Sequence, residues 1–112
     1  MARFLMAVYS HPVPGMEDEY HRWYNEQHLP DVLRVPGVVA AQRFAALPGE
    51  DGSRDPYLAI YELDCDNPQE VVAALTAAMG TDRMVMSDAL DLASIKITFY
   101  DPVSARQVAE EG

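Results

Sequence analysis

The chain has 112 residues, of which 49% are apolar, 23% charged and 9% aromatic, a size and composition that fit one globular domain and leave no room for a second. Folding should hide roughly two thirds of the surface of an extended chain this long, enough for a core without staples. Cys65 is the only cysteine, which excludes an intrachain disulfide and fits a cytoplasmic location. The 18 acids and 8 bases give a net charge of −10, which opposes nucleic-acid phosphates and anionic membrane surfaces. The partners expected are a second copy of the chain and a small molecule, with no nucleic acid and no membrane.

Residues 2–9 form an apolar run of strand length, too short to span a membrane and closed by the breakers of His11-Pro12-Val13-Pro14-Gly15. Glu17, Asp18 and Glu19 then crowd a first helical turn, where the helix dipole favours negative charge, so a helix is predicted from about Met16. At about 100° per residue, Met16, Tyr20, Trp23 and Gln27 share the stripe expected to pack on a sheet, while Asp18, Arg22, Asn25 and Glu26 lie opposite in water. Pro30 lacks an amide donor and should stop or bend the helix around His28. Residues 38–44 and 57–63 read as strands, and 47–56, rich in Gly and Pro, as an exposed hairpin loop.

Asn67-Pro68-Gln69-Glu70 sets a capping residue, a proline at the first helical position and a glutamate three residues after the cap. A second helix should follow, with Val71, Val72, Leu75 and Met79 on its apolar side and Gly80 as its stop. Residues 81–92 are ambiguous, a further helical turn around Met84 and Met86 being one option. Residues 93–100 complete the strands, with Ile95, Ile97 and Phe99 alternating with Lys96, Thr98 and Tyr100.

Strand, helix, strand, strand, helix, strand is the order of a ferredoxin-like α+β unit, a four-stranded antiparallel sheet with both helices on one face. Residues 1–103 are assigned to this single domain and 104–112 to a polar C-terminal arm. A sheet with one wet face should alternate, yet the first three strands are apolar at successive positions: Phe4-Leu5-Met6-Ala7-Val8, Val38-Val39-Ala40-Ala41 and Leu58-Ala59-Ile60-Tyr61. A second copy packed sheet against sheet would cover the free face, and a cavity between the sheets would be the natural ligand site.

The run Tyr20-His21-Arg22-Trp23-Tyr24-Asn25-Glu26-Gln27-His28-Leu29-Pro30-Asp31-Val32-Leu33-Arg34-Val35-Pro36-Gly37, followed by Ala41-Gln42-Arg43-Phe44, resembles the helix-to-strand signature of the dimeric α+β barrel superfamily, in its EthD-like branch. The resemblance implies a homodimeric barrel with one cavity per subunit, between the sheet and the first helix. Characterised members of the superfamily include cofactor-free polyketide cyclases, lactone isomerases, dehydratases and monooxygenases, alongside haem-binding relatives. Several of the isomerases and cyclases use a histidine as acid or base, to which His28 corresponds here. No second histidine follows in the later strands, a departure from the two-histidine form of that chemistry.

His28 stands one helical turn after Tyr24, so the two side chains can meet. An imidazole shuttles protons near neutral pH and a phenol can orient a substrate oxygen, which makes His28 and Tyr24 the catalytic candidates, with Asp31 to hold or polarise the ring. A helix-end cap is the alternative role for His28. Trp23, Asp31, Arg43, Tyr61, Lys96 and Tyr100 are the substrate-binding candidates, Arg43 and Lys96 for an anionic or enolic group and the aromatic residues for lining. Trp23, like Tyr20, suits a core position equally. Glu62 is a further strand position that could face the barrel, and Met84 and Met86 could line an adaptable pocket. His21 is expected to pair with Glu17 on the surface. His21 and His28 stand about 10 Å apart along a helix, too far to share a metal, and no metal or other cofactor is expected. Cys65, between Asp64 and Asp66, should be a poor nucleophile.

The expected function is a small cofactor-free enzyme of isomerase, cyclase or lyase (dehydratase) type, acting by acid–base chemistry on an oxygenated hydrophobic metabolite. The alternatives are a non-catalytic small-molecule binder or accessory protein, and a monooxygenase, cofactor-independent or haem-linked.

Overall fold

In chain order the computed structural model, which describes residues 2–47 and 56–110, runs β1 (Ala2–Ser10), α1 (Glu17–Trp23), a π-helical turn (Tyr24–His28), α2 (Leu29–Leu33), β2 (Val38–Ala45), β3 (Tyr57–Cys65), α3 (Pro68–Ala78), a 3-10 turn (Leu92–Ser94) and β4 (Lys96–Tyr100). The strands form one antiparallel sheet in the order β2-β3-β1-β4, the ferredoxin-like arrangement. Most of the hairpin loop expected at 47–56 lies outside the described residues, as do the last two residues of the arm. Residues 101–110 are exposed and without regular structure, and among the described residues no helix is long and apolar enough to cross a membrane.

The first helix does not stop at His28. Pro30 has no N–H to return to the Glu26 carbonyl, and the backbone widens by one residue just before it. The Leu29 N–H donates to the Tyr24 carbonyl five residues back, after which α2 carries the helix on to Leu33. The second helix starts as its capping residues require, with the Asn67 side chain accepting from the Gln69 amide at 3.0 Å and Pro68 in its first turn. No helical turn forms around Met84 and Met86. That segment is held by isolated bridges, Met79 to Met84 and Pro12 to Leu90. β4 begins later than expected because Asp91 accepts from the Ala93 amide and Ser94 donates to the Asp91 carbonyl, closing a 3-10 turn first.

Gly37 fixes the corner between α2 and β2. Its φ is +96°, its carbonyl accepts from the Asp64 amide at 2.8 Å, and a Cβ there would stand 2.9 Å from Val71 Cγ2. The corner is therefore pressed against both β3 and α3.

Strand pairing sets which side chains share a face. Met6 stands opposite Tyr61 and Phe99, and Val8 opposite Ala59 and Ile97. Met6, Tyr61, Phe99, Val8 and Ala59, with Leu63, pack with Tyr20, Trp23, Tyr24 and Val71 from the helical segments into the core, and Ile97 stays half exposed. The alternate positions form the other face, where Leu5, Phe44 and Tyr100 are 38%, 46% and 48% exposed. Arg3 reaches Glu62 at 3.3 Å and Asp64 at 3.7 Å on this side.

Candidate active site

An apolar cavity, open at one rim, lies between the sheet and the helices. It measures about 120 Å³. Met6, Val8, Ser10 and Tyr61 form its floor from β1 and β3, Tyr24, His28 and Val32 one side, and Val72, Leu75 and Thr76 of α3, with Met79 just after it, the other. Met84, Met86 and Leu90 add to the lining, as do Ile95, just before β4, and Ile97 within it. Thr76, Met79 and Ile97 are exposed and form the rim.

The π-helical turn puts Tyr24 and His28 on this wall together. The His28 ring meets Tyr24 edge-on at 5.1 Å between centroids and stacks on Trp23 at 4.6 Å with an interplanar angle of 27°. Two aromatic neighbours thus fix the imidazole without a hydrogen bond. His28 Nδ1 and the Tyr61 hydroxyl are buried, and neither has a hydrogen-bond partner among the described residues. The Tyr24 hydroxyl is close enough to bias the Tyr61 proton without reaching bonding geometry. Native interiors seldom leave such atoms unpaired. Tyr20, equally buried, shares a hydrogen bond of 2.6 Å with Ser10.

Burial lowers the His28 pKa to about 4, Asp31 opposing this and Arg43 adding to it. The ring is neutral at physiological pH. Burial pushes the Tyr61 phenol well above its ordinary value, so it keeps its proton and remains a donor. The Tyr24 phenol is raised as well, again chiefly by burial.

The remaining sequence candidates fall into three groups. Arg43 is outside the cavity wall, behind the rings. Its guanidinium lies 4.3 Å from the Tyr24 centroid and 5.3 Å from that of Tyr20, and it donates to Asn25 Oδ1 at 2.8 Å. His21 turns to this arginine instead of Glu17. Arg43 has donors only, so His21 Nδ1 accepts its bond at 3.1 Å, and burial, helped by Arg43, lowers the His21 pKa.

Trp23 and Asp31 hold the far wall in place. The indole N–H donates to the Val85 carbonyl at 2.8 Å, and the Val85 amide donates to Asp31 Oδ2 at 3.2 Å. Asp31 also accepts from Gln27 at 2.7 Å and Arg34 at 2.6 Å. Burial works against this carboxylate, but the three hydrogen bonds outweigh it and hold its pKa below the ordinary value. With both oxygens occupied, Asp31 makes no hydrogen bond to the His28 ring. Its influence there is the charge alone.

Lys96 and Tyr100 pair with Tyr9 and Leu5, on the sheet face turned away from the cavity, and Glu62 shares that side. The cavity brings together His28, Tyr24 and Tyr61 but not these three. Burial, with Asp64 and Asp66 adding to it, pushes the Cys65 thiol up. Among the described residues no three His, Cys, Asp or Glu side chains gather to hold a metal ion. Ser10 and Thr76 complete the polar lining. Ser10 follows Met6 and Val8 at strand spacing, a phase that could have marked it.

The EthD domain model matches residues 14–96. No functionally curated protein matches the chain. Among solved structures, an ethyl tert-butyl ether D (EthD) family protein from Bacillus halodurans is similar at 17% identity and a TM-score of 0.57, covering 92% of this chain and 100% of its own. An EthD-like protein from Ralstonia eutropha gives 16% identity and a TM-score of 0.60 over 95% and 97% of the two chains. A candidate monooxygenase from Shewanella loihica gives 14% and 0.58 over 94% and 99%. At these identities the structures support the fold, and the domain model, which spans most of the chain, shows the family: this protein belongs to the EthD family.

Proposed function

We propose that the protein is a small cofactor-free enzyme of isomerase, cyclase or lyase type, doing acid–base chemistry on an oxygenated hydrophobic metabolite. The observation that carries this reading is the pair of buried, unpartnered polar atoms, His28 Nδ1 and the Tyr61 hydroxyl, on two residues that line an otherwise apolar cavity. A neutral imidazole accepts a proton from substrate and returns it at another position. With a pKa of about 4, His28 is a weak base and needs a substrate proton already acidified, as beside a carbonyl. The Tyr61 hydroxyl, which keeps its own proton, supplies the hydrogen bond that stabilises oxygen charge as it develops. Tyr24 orients the ring.

The name of the Shewanella relative favours a second reading, a monooxygenase. That reading keeps both of its forms, the cofactor-independent and the haem-linked. We further propose that two copies join through the free sheet face, whose exposed Leu5, Phe44 and Tyr100 would then be covered.

A panel of single-ring ketones and lactones incubated in D2O with the protein, read by mass spectrometry, reports proton shuttling whatever the product. Deuterium incorporation is expected for some members. His28→Gln should cut it by about 100-fold or more while changing stability by only about 1 kcal/mol. No incorporation, or incorporation indifferent to the substitution, contradicts the acid–base role.

A further inference from the structure

The selectivity of this cavity can be read from what its wall lacks. No Lys, Arg, Asp or Glu is among the lining residues. Arg43 stands behind the Tyr24 ring, spends its donors on Asn25 and His21, and acts on the interior through its charge alone. An anion entering the cavity would shed its water and find no cation to pair with, which is costly. A purely apolar ring would pack well but leave His28 Nδ1 and the Tyr61 hydroxyl as unpaired as before. A hydroxyl group both accepts and donates, so it can pair with either atom, taking the Tyr61 proton donor on its oxygen or giving its own hydrogen to Nδ1. The volume of about 120 Å³ is that of a site for one ring.

We infer that the cavity selects a neutral ligand about the size of one six-membered ring that carries a hydroxyl or enol group, and rejects carboxylates of the same size. The inference rests on the reading of this cavity as the active site. It excludes the anionic substrate that Arg43 and Lys96 suggest in the sequence.

Phenol, toluene and benzoate share one ring and differ in the group that matters. At pH 7.5 phenol is neutral, since its acidity is that of a tyrosine side chain, and benzoate is an anion. Titration of the full chain by calorimetry or ligand-detected NMR should find phenol about 10-fold tighter than either of the others. Tyr61→Phe removes a hydroxyl whose neighbour, the Tyr24 hydroxyl, is short of bonding geometry, so the fold is expected to survive. It should weaken phenol by about 10-fold and leave toluene unchanged. Benzoate binding as tightly as phenol overturns the inference, as does toluene binding as tightly, or none of the three binding. If Tyr61→Phe does not fold, the ranking on the unaltered protein still decides. Phenol preference without proton shuttling leaves the selectivity standing and removes the catalytic reading. Proton shuttling with benzoate preferred does the reverse.

Discussion

On the helix side of the sheet, apolar side chains are buried while two polar atoms, His28 Nδ1 and the Tyr61 hydroxyl, go without partners. On the other side the polarity is reversed: Leu5, Phe44 and Tyr100 stay about half exposed, while Arg3 is paired with Glu62 and Asp64. The helix side holds two unpartnered polar atoms on residues of the cavity wall, while the free face, where Asp64 Oδ1 is also unpartnered, is chiefly short of apolar partners. The first deficit is met by a small molecule bearing a polar group, the second by a broad apolar surface. A single sheet thus separates ligand binding from assembly, with strand alternation deciding which side chain serves which task.

The largest expected effect breaks the free face. Leu5→Glu puts a charge at the proposed interface of each copy, where burying a leucine is worth about 1.5–3 kcal/mol and burying an unpaired carboxylate costs more. Light scattering at micromolar concentration should give twice 12.4 kDa for the unaltered protein and 12.4 kDa for the variant. A monomer before substitution contradicts the assembly. The cavity should be untouched, because Leu5 is not among its lining residues.

A smaller effect belongs to the helix side. His28 has a folded-state pKa of about 4, below its ordinary value of 6.5. Between those two pH values the unfolded chain binds a proton that the folded chain does not, so stability falls as pH drops through this window and levels off below it. The loss attributable to this residue is on the order of 3 kcal/mol. Denaturant melts from pH 7 to pH 4 should show it, and His28→Gln should remove it. An unchanged slope in the variant would place the acid sensitivity elsewhere. The exposed Arg3 pairs of the opposite face are of the kind that contributes only about 0–1 kcal/mol.

Where local chemistry sets the structure, the sequence reading and the structure agree. The Asn67-Pro68 cap and the alternation of β4 depend on residues close together in the chain. The π-helical turn was not legible, because a regular helix was assumed and the wide turn answers a missing donor at Pro30. Asp31 stands three residues from His28, which suggested contact, yet it is satisfied by Gln27, Arg34 and the amide of Val85, 54 positions away. Lys96 and Tyr100 were placed on the face away from Ile95, Ile97 and Phe99. What alternation cannot say is which face holds the cavity. Packing of α3 and the residue 81–92 segment over the sheet decided that.

The central claim is that a neutral, unpartnered imidazole lines an apolar cavity. Following the 15N and 13C ring signals of His28 by NMR from pH 3 to pH 8, with His11 and His21 as internal comparisons, tests it directly. The account predicts a midpoint near 4 and a single neutral form through physiological pH, with the Nδ1 signal shifting when phenol is added. A midpoint at or above 6.5, or an Nδ1 indifferent to ligand, would contradict it.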